Sequence, residues 1–143
     1  MLKFYTSALA ALIVVAASTP TVFANAESDA KRCVTEVQNR VARFNWNVQA
    51  ITEEKLENIA RALSAGRVDL AVAEARDGYH QAESLGESTG ESIRELGRTC
   101  VRNLLHKNRP DLARRVKENE ETALESIRST LRRQRAVLQA ELQ

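Results

Sequence analysis

Aromatic side chains make up only 4% of this chain, with one Trp, two Tyr and three Phe. A core so poor in rings is filled by aliphatic side chains, which suits slim helix-on-helix packing. Proline occurs only as Pro20 and Pro110, so few positions force a helix to stop. Met1 is the only methionine and no Cys-x-x-Cys-His run occurs, which leaves a haem bundle without ligands or attachment. His80 and His106 are the only histidines. A di-iron bundle needs two Glu-x-x-His units and two further carboxylates, and Asn103 stands where His106 would need its glutamate. Asp77 and His80 have the spacing of a carboxylate–imidazole pair on one helix face, but a solvent-facing histidine is the simpler account. Ser64, Ser84 and Ser126 have no Gly-rich elbow or paired base beside them, and no phosphate-cradling glycine loop occurs. The expectation is a non-enzyme with no catalytic residues, metal or cofactor. A metal-dependent enzyme is the remote alternative.

Net charge is equally sparse. There are 21 Lys and Arg against 19 Asp and Glu, too even a balance for a dedicated nucleic-acid binder.

The N-terminus is richer in signal. Lys3 supplies a positive start, Ala8 to Ala17 form an uncharged apolar run, and Pro20 is read as breaking any helix there. Small residues follow at Ala24 and Ala26, and cleavage after either fits the small-residue rule of a secretory signal peptide. The apolar run is too short for a comfortable membrane span. We therefore expect residues 1–26 to be a cleavable signal peptide and 27–143 to be one soluble, periplasmic or secreted domain. No later segment has the length and apolarity to cross a bilayer.

Beyond the signal, Ala, Arg, Glu, Leu and Gln dominate and only Pro110 interrupts, so the fold class is all-α. Three helices are expected at about 29–65, 68–107 and 110–143, forming an antiparallel up-down-up bundle with coiled-coil-like packing. The first carries Val34, Val37, Val41, Phe44, Val48 and Ile51 in heptad rhythm, then shifts phase to Leu56, Ile59 and Leu63. Gly66 suits its C-terminal cap and Asp69 the N-cap of the second helix. The second shows a seam of Val68, Val72, Ala75, Tyr79, Ala82, Gly86, Thr89, Ile93, Leu96 and Cys100. That seam keeps phase across Gly86 and Gly90, which predicts one continuous helix with close packing beneath Phe44 or Trp46. A hinge at Gly86 and Gly90 is the functional alternative. Trp46 lies one residue off the apolar seam, with packing preferred over ligand stacking. The third helix opens at Pro110, where proline is tolerated. Its stripe of Leu112, Val116, Ala123, Leu124, Ile127, Leu131, Leu138 and Leu142 is interrupted by polar Glu120 and Gln134. Leu138 and Leu142 offer a face for homo-oligomer formation.

Cys33 and Cys100 lie equally far from Gly66–Arg67 on either side. If the chain folds back there, the thiols meet near the open end of a helical hairpin, and an oxidising compartment would join them. The same mirror rule sets Val37 against Leu96, Phe44 against Thr89, Val48 against Leu85 and Gly86, and Ile51 against Ala82. Bulky residues then meet small ones.

One charge pattern points to function. From Arg98 to Lys117 there are seven basic residues, Arg98, Arg102, Lys107, Arg109, Arg114, Arg115 and Lys117, with Asp111 the only acid. Lys31 and Arg32 would join them at the same end. The stretch from Arg67 to Gly97 is the reverse, with three basic and seven acidic residues. Such a basic pole suits an anionic envelope component or an acidic protein surface. Arg128, Arg132, Arg133 and Arg135 form a more scattered basic run. Glu118, Glu121 and Glu125 have the spacing of surface ion pairs with nearby arginines.

Ala65-Gly66-Arg67-Val68-Asp69-Leu70-Ala71 is similar to the turn of a tetratricopeptide repeat, but its flanks differ and no second copy exists. Size and composition resemble small helical periplasmic chaperones, whose Leu-Thr-x-x-Gln signature is absent. The sequence thus leads to an exported, non-enzymatic bundle that binds a partner through its basic pole or an exposed helical seam. The alternative is a chaperone-like or lipid-surface-binding role, in which the bundle opens near Gly86 and Gly90.

Overall fold

In a computed structural model, residues 6–143 are described, with side-chain surroundings from Asn25 onward. Three α-helices, α1 (Thr6–Ser64), α2 (Val68–His106) and α3 (Pro110–Glu141), make up the fold, and each packs on both others. Lys3 lies outside the described residues. The expected start of the first helix near residue 29 is not seen: α1 begins at Thr6 and runs through Pro20. A proline removes one backbone hydrogen bond from a helix, which strains it without having to end it.

Both turns are built alike. At the end of α1, Arg67 N–H donates to the Ala62 carbonyl at 2.9 Å and Gly66 N–H to that of Leu63 at 2.9 Å. Gly66 has φ of +72°. At the end of α2, Arg109 N–H donates to Leu104 at 3.0 Å and Asn108 N–H to Leu105 at 2.9 Å, with Asn108 at φ +56°. Each is a Schellman closure, with a residue that tolerates the left-handed region at the position requiring it. Asp69 does not cap α2. The helix starts one residue earlier, Arg67 holds the N-cap position without a side-chain bond, and Asp69 falls in the first turn. There its charge still favours the helix N-terminus. Pro110 opens α3 as expected.

The Cys33–Cys100 disulfide is present, with Cα atoms 6.3 Å apart and a sequence separation of 67. Val37, Phe44, Val48, Ala82 and Ile93 share one buried cluster with Leu85 and Leu96 packed on it, while Ile51 and Thr89 stay outside it. Toward the disulfide, Ala26, Ala30, Cys100, Leu104, Leu112 and Val116 are buried together. Toward the Gly66 turn, Ile59, Ala62, Ala71, Ala75 and Leu138 close the core.

The seam of α2 departs from expectation at its edges. Ala75, Ala82, Gly86, Ile93 and Cys100 are buried, but so are Ala71, Gly78, Gly90, Gly97 and Leu104. Val68 and Val72 are instead exposed, while Tyr79, Thr89 and Leu96 are half-buried. The cause is topological: α2 packs against two helices at once, so its buried stripe is wider than a two-stranded seam and its centre holds the smallest residues. Trp46 is 74% exposed, so the packing expected for it does not occur. Leu138 is 1% exposed within the chain's own core, leaving Leu142 only partly buried against it.

Candidate binding surface

The disulfide-stapled end carries the basic residues, and their surroundings divide them into two sets. Lys107 pairs with Asp29 across the end of the bundle. Arg109 reaches Glu27 at 3.1 Å and Asp111 at 2.8 Å. Asp111 and then Glu27 hold the Arg109 guanidinium above its usual range. Arg109 in turn holds Asp111 down to about 2, helped by backbone N–H groups at the start of α3. Lys117 donates to Glu120 at 2.9 Å. Arg115 stands 3.9 Å from Glu27. Lys107, Arg109 and Arg115 serve as clasps that tie the α2–α3 turn and the start of α3 to the segment of α1 that precedes Cys33, whereas the Lys117 pair lies within α3.

Lys31, Arg32, Arg98, Arg102 and Arg114 form the second set. All five are exposed, and none pairs with an acid among the described residues. Arg98 and Arg102 lie one turn apart on α2, Lys31 and Arg32 on α1 just before Cys33, and Arg114 on α3. They are thus contributed by all three helices. Lys31 and Arg115 share a groove between α1 and α3, floored by Ala30, Val34 and Val116 with Thr35 and Gln38 on its wall, about 580 Å³ in volume.

The glycines of α2 explain how the helices approach. A methyl placed on Gly86 would stand 2.9 Å from Leu131 Cδ1 and 3.6 Å from the Phe44 ring, whereas one on Gly90 meets nothing closer than 3.6 Å. The helix is unbroken through both. Gly86 is thus a contact position, beneath Phe44 as expected and not beneath Trp46. Gly90 is not tightly packed.

Two further glycines receive polar side chains, a feature the sequence reading missed. Gly97 lies under Glu120, which is 3% exposed, and a methyl on it would stand 2.9 Å from Glu120 Cδ. Gly78 lies under the stem of Lys55, whose Cγ would stand 2.7 Å from a methyl placed there, and its carbonyl accepts from Gln134 Nε2 at 3.1 Å. The mirror rule about the second turn would have revealed the first pair, because Gly97 and Glu120 lie equally far from Asn108–Arg109. Lys55 and Gly78 likewise lie equally far from Gly66–Arg67, so the mirror rule about the first turn would have revealed the second pair. Lys55 stands in heptad phase on α1 and is 6% exposed, with Nζ bonded to Glu74 at 2.9 Å and Asp77 at 2.6 Å. The Asp77 hydrogen bond raises the Lys55 pKa against the opposing effect of burial. Lys55 lowers both carboxyls, with Asn58 assisting at Glu74 and Gln81 at Asp77. Asp77 is thereby committed to Lys55, and His80 faces Glu83 at 3.8 Å instead.

The scattered arginines of α3 are engaged locally. Arg128 and Arg132 both bond Glu125 and lower its pKa, while Arg135 lies 4.3 Å over the Tyr79 ring. Among the described residues, no group of three His, Cys, Asp or Glu is arranged to hold a metal ion, and no helix is long and apolar enough to cross a membrane. No protein-family model, curated protein or solved structure matches this chain.

Proposed function

We propose that this protein is an exported, non-enzymatic helical bundle that binds an anionic component of the cell envelope through its disulfide-stapled end. The observation that carries the proposal is the division of charge at that end. Glu27, Asp29 and Asp111 are consumed by Arg109 and Lys107, which leaves Lys31, Arg32, Arg98, Arg102 and Arg114 with uncompensated charge. Unpaired cations on a rigid scaffold attract anionic head groups at about 1 kcal/mol each near such a surface. The disulfide agrees with export, because such bonds persist in oxidising compartments.

Co-sedimentation with vesicles tests the proposal. Binding to vesicles rich in anionic lipid, absent with neutral lipid and abolished by high salt, is the expected result. Arg98→Glu with Arg102→Glu should weaken it at least tenfold. Salt-insensitive or equal binding to both vesicle types contradicts it, and salt-sensitive capture of one envelope protein without vesicle binding transfers the site to an acidic protein partner.

A second reading has its own observation. Val68 and Val72 are 59% and 39% exposed, and Val72 borders a groove with Tyr79 and Leu142 at the opposite end. A chaperone-like or lipid-surface role would use this apolar edge. Its binding would resist salt and fall on Val72→Glu.

A further inference from the structure

The groove between α1 and α3 at the stapled end combines an apolar floor with cations on both walls. Ala30, Val34 and Val116 form the floor, and the volume of about 580 Å³ falls within the range of small-molecule sites, roughly 300–1,000 Å³. The groove follows α1 from Glu27 to Gln38, about 16 Å of helix at 1.5 Å per residue. Such an elongated space suits a linear chain better than a ring system.

Lys31 on α1 and Arg115 on α3 face each other across it. Lys31 is exposed, and the Arg115 side chain is 70% exposed and reaches Glu27 only at 3.9 Å. Glu27 is the one carboxylate on the lining, and Arg109 already holds it at 3.1 Å. Two cations against that one acid leave a single net positive charge, which matches a singly charged head group. An arginine fork receives a carboxylate through two parallel hydrogen bonds, and the stems of both cations cover apolar surface while their charges stay in water. Elsewhere the grooves lack this combination. In the one between α1 and α2, Arg40 is tied to Ser92 and Glu36. The one beside Gly86 presents Glu83, Glu87 and Glu91.

We propose that the α1–α3 groove binds a long-chain carboxylate, its alkyl chain along Ala30, Val34 and Val116 and its head between Lys31 and Arg115. This deepens the function proposed above, on which it rests, by naming the class of anion that the stapled end takes.

Titration calorimetry of the purified protein with dodecanoate, kept monomeric, tests the proposal. Saturable binding of one equivalent is expected, with decanoate roughly fivefold weaker because two fewer methylenes leave water. Acetate, which lacks the chain, and decanol, which lacks the charge, should not bind. Lys31→Glu with Arg115→Glu should weaken dodecanoate about tenfold or more. Thr35→Trp, on the exposed wall, should fill the groove and abolish dodecanoate binding while leaving both cations and the melting temperature in place. Acetate bound as tightly as dodecanoate overturns the proposal, as does dodecanoate affinity indifferent to Thr35→Trp. A protein that ignores dodecanoate yet binds anionic vesicles in a salt-sensitive way overturns this proposal alone. One that binds neither overturns the proposed function with it.

Discussion

The two ends of the bundle lock the same hairpin by different physics. At the stapled end, Cys33 and Cys100 join α1 to α2 covalently, and solvent-facing clasps close over small buried residues. At the Gly66 end there is no covalent link, and Lys55 inserts between the helices to meet Glu74 and Asp77. Gln134 adds a bond from α3 to the Gly78 carbonyl. The covalent lock acts mainly on the unfolded chain, by removing its freedom. The polar lock acts on the folded state, because a shifted register would leave a buried charge without partners. Register in this fold is therefore specified twice.

The comparison is broken most severely at the covalent end. Cys33→Ser with Cys100→Ser releases a closure of 67 residues, a loss of about 4 kcal/mol in the chain-entropy model. Denaturant midpoints with and without reductant should show it, with the doubly substituted protein indifferent to reductant. Next in size is overpacking. Gly78→Ala forces a methyl into the Lys55 stem, and should cost about 1–3 kcal/mol. Gly97→Ala, pressed on the buried Glu120, should cost a similar amount at the other end of the same helix. The opposite sign is expected at Gly90, where there is room. Gly90→Ala should stabilise by up to about 1 kcal/mol, the helix-propensity difference. A melting series across Gly78, Gly86, Gly90 and Gly97 would separate contact glycines from the permissive one.

The smallest effect at neutral pH is expected from Lys55→Met, which keeps the stem and removes the charge. Replacing a buried ion-pair partner by an apolar side chain of similar shape changes stability little, roughly within 1 kcal/mol when the partners are part-solvated. Its signature lies in the pH profile. Glu74 and Asp77 have folded-state pKa values below their ordinary 4.5 and 3.8, so their contribution is present above those values and lost as pH falls through the lowered ones. Lys55 is raised above 10.5, so its contribution is present below that value and lost as pH climbs through the raised one. Lys55→Met should flatten both limbs. The acid limb should survive in part, because Asp111 and Glu125 are also held low.

How much of this was legible follows from what each residue does. Heptad phase and the mirror about Gly66 gave the three helices and the disulfide, because a hairpin of regular helices translates numbering directly into height. The same phase misplaced Val68 and Val72, since a two-helix seam cannot anticipate a helix that serves two neighbours. Glu120 and Gln134 stood out in the sequence only as breaks in an apolar stripe. Their burial becomes intelligible once Gly97 and Gly78 are seen opposite them. Lys55 stood at the next heptad position after Ile51 and opposite Gly78 under the mirror rule, but a charged residue there is passed over when the stripe is read for apolar side chains alone, and its partners Glu74 and Asp77 come from α2. At the basic end, the charge run marked the right end, but which cations are neutralised depends on Glu27 and Asp29, which come from a helix far away in sequence.

The central claim is a helical hairpin whose register is stapled between α1 and α2. Non-reducing peptide mapping of the protein recovered from the periplasm tests it most directly. The expected result is a single linked pair, the peptide containing Cys33 joined to the peptide containing Cys100, separating on reduction. Two free thiols in that protein would contradict it.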